Sequence, residues 1–576
     1  MNVRTLGWVQ NSADTNNLKI VVSLFVFNSD INKYLRETKI PRIIKDEKLQ
    51  KKFIEYLSNE NEIKIPYSAL KGKGKETGGT RKSAECSGIV QAAIHSQGEK
   101  EYIDDWSADC FLRWAISIGF VYYDNETDLC KISESGIKFT GSQCGSKEER
   151  EYLENAYLSY PPVVRVLTLL EKNGHLTKFE IGSELGIIGE AGFTSIPQNL
   201  FVQGLSDAKT LEEKSDIRNN VEGDSDKYAR MICGWLKNIA WVKREPKEVI
   251  ETLGSTEYRE TINSSFIITL EGKTNLKKAL GQSSKKRIPK IVYWEMLATK
   301  PTDKIYLRTR RALIINAINS SAKNISQITE ILASKGFVEN GNTILDDIKS
   351  FENIGLNVFE KNGSYKINDE ILCLKIPVIK KNMAKSDVSE IKNRIRSKLR
   401  SIDHKYLNLI DLSFNGKVDR DFEIQTISLF VNELEFGGLH LGGSRKPDGI
   451  IYYEKYGTIV DTKAYSKGYN LPQNQQDEMR RYIEENQKRD ISINPNKWWE
   501  NFPKNIDDFT FLFVSSLFIS GISNKIKQIS LRTETNGAVI NSENLLLFAE
   551  NVKSGNISYS ECFEMLRKNE EVIIYV

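Results

Sequence analysis

Three side chains near the C-terminal end of this chain have the types and spacing that phosphate chemistry needs. Asp448 follows Pro447 and leads into the apolar run GIIYY, and after the turn EKYG the run TIVDTKAY supplies Asp461 and Lys463. Residues two apart in a strand project to one face, so Asp461 and Lys463 point the same way. Pairing the two runs brings Asp448 beside them. Two carboxylates so placed repel unless a divalent cation sits between them. With hard oxygen donors and neither histidine nor thiolate in the set, the expected ion is Mg²⁺, held by Asp448 and Asp461. Such an ion polarises a phosphate and lowers the pKa of a bound water, while Lys463 orients that water or stabilises charge growing on the phosphate. Glu423, on a helix predicted over 419–434, is a further metal ligand or a support for one. The bland alternative is an exposed salt-bridging edge, and the apolar Ile459-Val460 ahead of Asp461 argues against it.

The elements that must position these groups read as helix 419–434, two strands within 449–463, helix 473–489, an apolar strand at 509–519 and a closing α/β segment. That rhythm predicts an α/β domain around a central mixed sheet. A basic stretch of little periodicity at 379–386 predicts a linker, which sets the domain at 387–576. At 576 residues the chain should hold several domains, and 40% hydrophobic content supplies a core for each. No run of about 18 apolar residues and no signal-peptide core is present, so a cytoplasmic protein without membrane contact is expected. The seven cysteines form no CxxC pair and only four histidines exist. Disulfide, zinc and iron–sulfur frameworks are therefore unexpected, and reduced, mostly buried thiols are the better reading.

Ahead of the linker one pattern recurs three times: an apolar helix, a turn, a short strand, a polar tip and another strand. It reads FLRWAISIGFVYYDNETDLCKIS at 111–133, ARMICGWLKNIAWVKREPKEVIETL at 229–253 and ILDDIKSFENIGLNVFEKNGSYKI at 344–367. Helical spacing followed by alternation across a polar tip matches a winged helix-turn-helix, a fold that serves DNA recognition and also protein contacts. Domains are predicted at 1–150, 151–284 and 285–378. The net charge is only +4, but residues 285–311 hold nine Lys/Arg against two acids and 380–400 hold eight against two. Clusters of this kind suit phosphate contacts, with a solvated charged face as the alternative.

The set Asp448, Asp461, Lys463 has the PD-(D/E)xK form of restriction-type nucleases. The wider stretches HLGGSRKPDGIIYY, GTIVDTKAYSKGYNLP, QDEMRRYIEENQ and INPNKWW resemble the cleavage domain of the FokI-like type IIS restriction endonucleases. Upstream, RTLGWVQN, YIDDWSADCFLRWA, YPPVVRVLTLLE, HLTKFEIG, IRNNVEGDSDKYARMICGWL and VYWEMLATKPTDKIYLRTRRALI resemble the recognition part of that family. The resemblance implies a multidomain α+β protein: three helix-turn-helix recognition subdomains, then a PD-(D/E)xK nuclease domain. It implies binding of a short asymmetric site of the GGATG type in double-stranded DNA, cleavage outside it, and a cognate DNA methyltransferase in the same cell. Asp448, Asp461 and Lys463 fall on the family's catalytic positions, and Glu423 on an acidic helix position.

The resemblance further implies DNA contacts by Gln10, Asn11, Arg81 and Trp106 in the first subdomain and by Asn219, Glu222 and Lys227 in the second. The chemistry suits base edges: Asn and Gln pair with adenine, Arg and Lys with guanine, and Glu accepts from cytosine. For each, a phosphate contact or a cap is the plainer role. Asp477 and Arg481 lie four apart on one helix face, where an intrahelical pair is the simple expectation. The resemblance instead implies reciprocal pairing in a transient homodimer, since one active site cuts one strand. The chain departs from the family pattern in a shorter hairpin between Asp448 and Asp461, in Val221 where tryptophan is expected, in an altered SNKIKQISLRTETNG segment, and in Arg480 where a neutral residue is expected. A strand-specific nicking enzyme and a DNA-binding regulator with an inactive nuclease domain are the competing readings.

Overall fold

A computed structural model describes residues 4–574 apart from 75–84, 97, 99, 254–255, 283–286, 379–386, 418, 444 and 520. The predicted linker and Arg81 lie outside the described residues. The part ahead of residue 379 repeats one arrangement, with a variation in the middle copy. Helix Asp105–Ser117, capped by Asp104, runs into the hairpin Val121–Asp124/Leu129–Ile132, and Ile65–Pro66 adds a third strand. Helix Gly341–Ile354, capped by Asn340, runs into Val358–Lys361/Ser364–Ile367, with Lys323–Asn324 added.

The middle copy differs from the expected hairpin. After helix Asp224–Asn238, strand Val242–Arg244 pairs with Ser265–Ile268, and His175–Thr177 takes the other edge. Lys247–Leu253 does not pair back; it forms a separate ribbon with Thr256–Ile262. The cause is local. Glu245 N–H still donates to Ser265, but Pro246 has no N–H with which to continue the ladder. The ribbon instead buries Val249 and Ile262 against Phe201, Val202 and Leu205 of helix Gln198–Asp207.

One apolar core runs through all three copies, from Leu6 to Ile367. At its centre the Trp235 ring stacks on Trp114 at 4.9 Å and on Tyr157 at 5.8 Å, and its indole N–H donates to the Ser12 carbonyl at 2.5 Å. All seven cysteines are unbridged, and five of them are buried.

The C-terminal domain is built on a five-stranded sheet in sequence order: Gly437–His440, Gly449–Tyr453, Tyr456–Lys463, Asp508–Ser515 and Gly537–Asn541. The first three strands are antiparallel and the last three parallel, which makes the mixed sheet the sequence predicts. Alternation along the strands feeds two cores. Ile451, Val460, Leu512 and Val514 face the helices Asp419–Ser428, Ser542–Lys553 and Tyr559–Leu566. Ile450, Ile459, Phe511 and Phe513 face Gln473–Lys488 and Ile522–Thr533.

No described apolar cluster spans the N-terminal body and the C-terminal domain; charged groups meet there instead. Asp303 pairs with Lys392 at 2.5 Å and with Arg396, and Glu339 takes His404 Nδ1 at 2.5 Å and Arg396 at 3.6 Å. Arg310 holds Glu339 and Asp347, while Arg311 holds Asp347 and Glu190. Part of the two basic runs is thereby taken out of reach of phosphate, while Lys300, Arg394 and Arg400 stay exposed. Lys290, Arg308, Arg310, Arg311, Lys392 and Arg396 are all buried, because the elements that carry them pack inward and their charges meet acids or carbonyls rather than solvent.

Candidate active site

Sheet register builds the site. Gly449 pairs with Val460, so Asp448 stands one step beyond that pair, opposite Asp461. Asp448 Oδ2 accepts the Thr462 N–H at 2.6 Å and the Thr462 hydroxyl at 3.0 Å. The Asp448 carbonyl in turn accepts the N–H groups of Leu441 at 2.9 Å and Gly442 at 3.3 Å. Asp461 Oδ2 meets Lys463 Nζ at 2.9 Å, as their shared strand face requires. Both are largely withdrawn from solvent, with side-chain exposures of 5% and 19%, so this is not an exposed surface pair.

Electrostatics mark the same place. Burial, then Asp461 and Glu423, push the Asp448 carboxyl well above the usual range. Burial also raises Asp461 against the opposing pull of Lys463. Burial works against the Lys463 ammonium, but Asp461 and Asp448 outweigh it and keep it charged. A paired-up cluster of acids that disfavours its own ionisation is set up to take a cation. Each aspartate keeps one carboxylate oxygen with no hydrogen bond among the described residues, and no described group of three or more His, Cys, Asp or Glu encloses a metal position. Two carboxylates beside an open face are what Mg²⁺ uses when substrate oxygens and waters complete its shell, so the residues fit that ion.

Glu423 sits on helix Asp419–Ser428 and bonds His440 Nε2 at 2.8 Å through its Oε2. Its charge acts on both Asp448 and Asp461. His440 is the residue the sequence reading missed. Its only signal there was its place eight residues before Asp448, at the head of the stretch HLGGSRKPDGIIYY.

Comparison with known proteins gives this geometry its setting. Four family models match: FokI recognition domain, subdomain 1 at 4–142, subdomain 2 at 149–284, the D3 domain at 297–363 and the cleavage domain at 385–573. The chain is 44% identical to the type II restriction enzyme FokI of Planomicrobium okeanokoites, covering 97% of both proteins. It belongs to the FokI family of type IIS restriction endonucleases. It is also 30% identical to the type II restriction enzyme StsI of Streptococcus sanguinis, over 96% of this chain and 92% of that one. The solved structure of FokI superposes with a TM-score of 0.84 at 43% identity, covering 99% of this chain and all of the other. FokI bound to DNA gives 0.83 at the same identity, with full coverage of both chains.

In this FokI-family chain the second recognition helix gathers several of the proposed DNA-contacting residues. Trp235 and Asn238 of helix Asp224–Asn238 bond the carbonyls of Ser12 and Ala13, which lays the N-terminal arm along that helix. Gln10 is thereby brought to Tyr228, next to Lys227. Asn11, exposed and at φ +56°, is held in a left-handed turn. Lys227 is half-exposed beside Asp224 at 3.5 Å. Glu222 is nearly covered, paired with Lys178 at 2.9 Å and Arg230 at 3.1 Å, so both lysine and arginine hold its carboxylate in place. Asn219 is exposed at the end of helix Leu211–Asn220. Trp106 is on helix Asp105–Ser117, whose Cys110 also contacts Gln10 and whose Arg113, with its guanidinium 5.6 Å from the Trp106 ring centre, acts on Tyr228. Val221 joins Ile217 and Tyr258 at the edge of the small core under the ribbon.

On helix Gln473–Lys488, Asp477 and Arg481 do not pair with each other. Asp477 is held by Arg480 and by Gln473 at 2.9 Å, whereas Arg481 bonds Glu478 at 3.3 Å and lies 3.8 Å from Glu485.

Proposed function

We propose that this chain reads a short asymmetric site in double-stranded DNA through winged helix-turn-helix units and hydrolyses both strands outside it with Mg²⁺. The observation that carries this reading is the buried Asp448–Asp461–Lys463 set at the open end of the central hairpin. Asp448 and Asp461 would hold the ion, which when bound supplies Lewis acidity toward the scissile phosphate and a more acidic water. Thr462 fixes the orientation of Asp448 by two hydrogen bonds, so the free carboxylate oxygen keeps one direction. Lys463, tethered by Asp461, presents a positive charge to a phosphate oxygen and stabilises the charge that grows there. Reading and cutting reside in separate bodies, which fits cleavage at a distance, and a cognate methyltransferase would protect the host's own sites.

The test is direct. Asp461→Ala and Lys463→Ala should lower plasmid cleavage by at least about a thousandfold, the scale on which losing a principal charge-stabilising group is felt. Site-specific binding measured in Ca²⁺ should stay within about threefold. Wild-type cutting by either variant refutes the assignment. Sequencing the ends produced by the wild-type enzyme gives site, distance and stagger together.

Double-strand cleavage requires a second active site, and helix Gln473–Lys488 supplies a surface for a transient homodimer through Asp477 and Arg481. Arg480 engages Asp477 within the helix and so competes with a partner's arginine. Arg480→Gln should therefore raise linearisation of plasmid at low enzyme concentration by a few-fold, and Arg481→Asp should depress it strongly while sparing binding. Linearisation first-order in enzyme and unaltered by Arg481→Asp would mean that a monomer cuts both strands. Open-circle product alone would favour the nicking reading.

A further inference from the structure

The active-site region holds one buried group that the proposed chemistry does not use. His440 ends the edge strand Gly437–His440, where it pairs with Gly449, the neighbour of Asp448. Its side chain is 8% exposed. Nε2–H donates to Glu423 Oε2 at 2.8 Å, while Nδ1 is buried with no hydrogen-bond partner among the described residues. The bond to Glu423 is thus the ring's one polar contact among those residues, and it fixes which nitrogen carries the hydrogen.

The chain after His440 is shaped around that ring. Gly442 adopts φ +53°, and a Cβ there would stand 2.8 Å from His440 Cε1 and 3.1 Å from Nε2. Only glycine passes so close in that conformation. The same turn sends the Leu441 and Gly442 N–H groups to the Asp448 carbonyl. One short segment therefore grips two acids at once: Glu423 through a side chain and Asp448 through the backbone. Among the described residues Glu423 keeps Oε1 without a hydrogen bond, and its charge reaches both Asp448 and Asp461.

We propose that His440 is a positioning residue that holds Glu423 as the third acid of the metal site, so that Oε1 faces the cation or one of its waters. The inference rests on the Mg²⁺ nuclease reading and deepens it. A histidine that orients a carboxylate near a metal acts on affinity through geometry, and loss of such a support costs about 10–100-fold in affinity.

His440→Phe keeps the ring's bulk under the Gly442 turn and removes the donor; His440→Gln returns an amide N–H near the position of Nε2. The full-length enzyme is used, with Tb³⁺ luminescence to report occupancy and plasmid cleavage at varied Mg²⁺ as the second readout. For His440→Phe, Tb³⁺ affinity should fall and the Mg²⁺ concentration for half-maximal cleavage should rise, each by about tenfold or more. His440→Gln should recover both to within about threefold of wild type. In a Glu423→Gln background, His440→Phe should add nothing further, since the ring acts through that carboxylate. Unchanged ion affinity in His440→Phe, failure of His440→Gln to recover it, or additive losses with Glu423→Gln would each overturn the proposal. Asp461→Ala is the control. If it cuts normally the nuclease reading itself fails, whereas if it is dead while His440→Phe is normal, only the role of His440 fails.

Discussion

The two internal junctions of this molecule are built from opposite materials. Within the recognition body, aromatic faces meet: Trp235 between Trp114 and Tyr157, and Trp8 against Phe193 and Tyr228. Between that body and the nuclease domain, Asp303, Glu339 and Asp346 meet Lys392, Arg396, His404 and Lys405. Elsewhere the two bodies border an open cleft of about 660 Å³ lined by Gln203, Asp207, Arg420 and Lys446. Apolar surface gains on leaving water, about 25 cal/mol per Å², and loses all of it on separation. Buried ions forfeit hydration when they pair and regain it when they part, so their net hold is far smaller than their number suggests. The three recognition copies are thus one permanent unit, and the nuclease domain is attached through a contact that water can replace.

The contrast is broken most directly at Trp235. Trp235→Ala removes the stacked centre of the recognition core and should cost about 3–5 kcal/mol. In denaturant titration the unfolding transition of the recognition body should move to lower denaturant, with that of the nuclease domain unmoved. A change under about 1 kcal/mol would mean that the copies do not share one core.

Asp303→Asn strikes the other junction and should have a smaller effect on stability, because it removes one carboxylate and leaves Lys392 with Asp411 and Arg396 with Glu339. Losing one arm of a buried ion cluster costs up to about 3 kcal/mol, and here the protein escapes the cost by undocking. Small-angle scattering should show a larger radius of gyration in the variant, with the unfolding midpoint of each body unchanged. Unaltered scattering together with a lowered midpoint of the recognition body would place Asp303 in that body's fold and would remove the distinction between the junctions.

The same difference in materials decided what could be read from the sequence. The central hairpin was legible because strand periodicity is local: Ile459, Asp461 and Lys463 must share a side. Their 2.9 Å contact needed only that rule. The first and third recognition units followed in the same way from helix spacing and a polar tip. The second did not, because Pro246 diverts the chain into a ribbon whose partner strand begins beyond the segment that carried the pattern. The buried part of the basic runs escaped for another reason. Charge is visible in a sequence, but whether Arg310 points at a phosphate or at Asp347 depends on an element 37 residues away. His440 was hidden by the same distance effect, since its meaning lies in Glu423, 17 residues back on a different element. Helix periodicity correctly put Asp477 and Arg481 on one face but could not show that Arg480 and Glu478 occupy them.

The finest test of the contrast is its pH dependence. Burial, and then the nearby Asp403, raise the Asp346 carboxyl to about 7, against the pull of Lys405, whose Nζ lies 3.0 Å from Asp346 and 3.4 Å from Asp403. Asp421 on the nuclease side is likewise pushed to about 7, chiefly by burial, with Lys300 opposing and Asp224 and Asp226 adding to the rise. Once the domains part, both carboxyls return toward 3.8, so docking takes up protons. The sign follows from linkage: a raised acid favours the docked state fully below its free value, and that support is lost as pH climbs to about 7 and stays lost above it. Asp403 is held below its ordinary value by Asp346 and Lys405, despite burial, so its own contribution changes only at more acidic pH, outside this window. Energy transfer between labels on the two bodies should therefore fall from pH 5 to pH 7 and level off by pH 8. Asp346→Asn should flatten part of that slope, and the double variant Asp346→Asn/Asp421→Asn most of it, because neutral amides reproduce the docked charge state at every pH. Comparison of the variants with wild type isolates these two acids from every other titrating group at the junction. A double variant that keeps the wild-type slope would show that neither acid governs the attachment, and the ionic junction would then have to be held by the strong pairs around Asp303 and Glu339 alone.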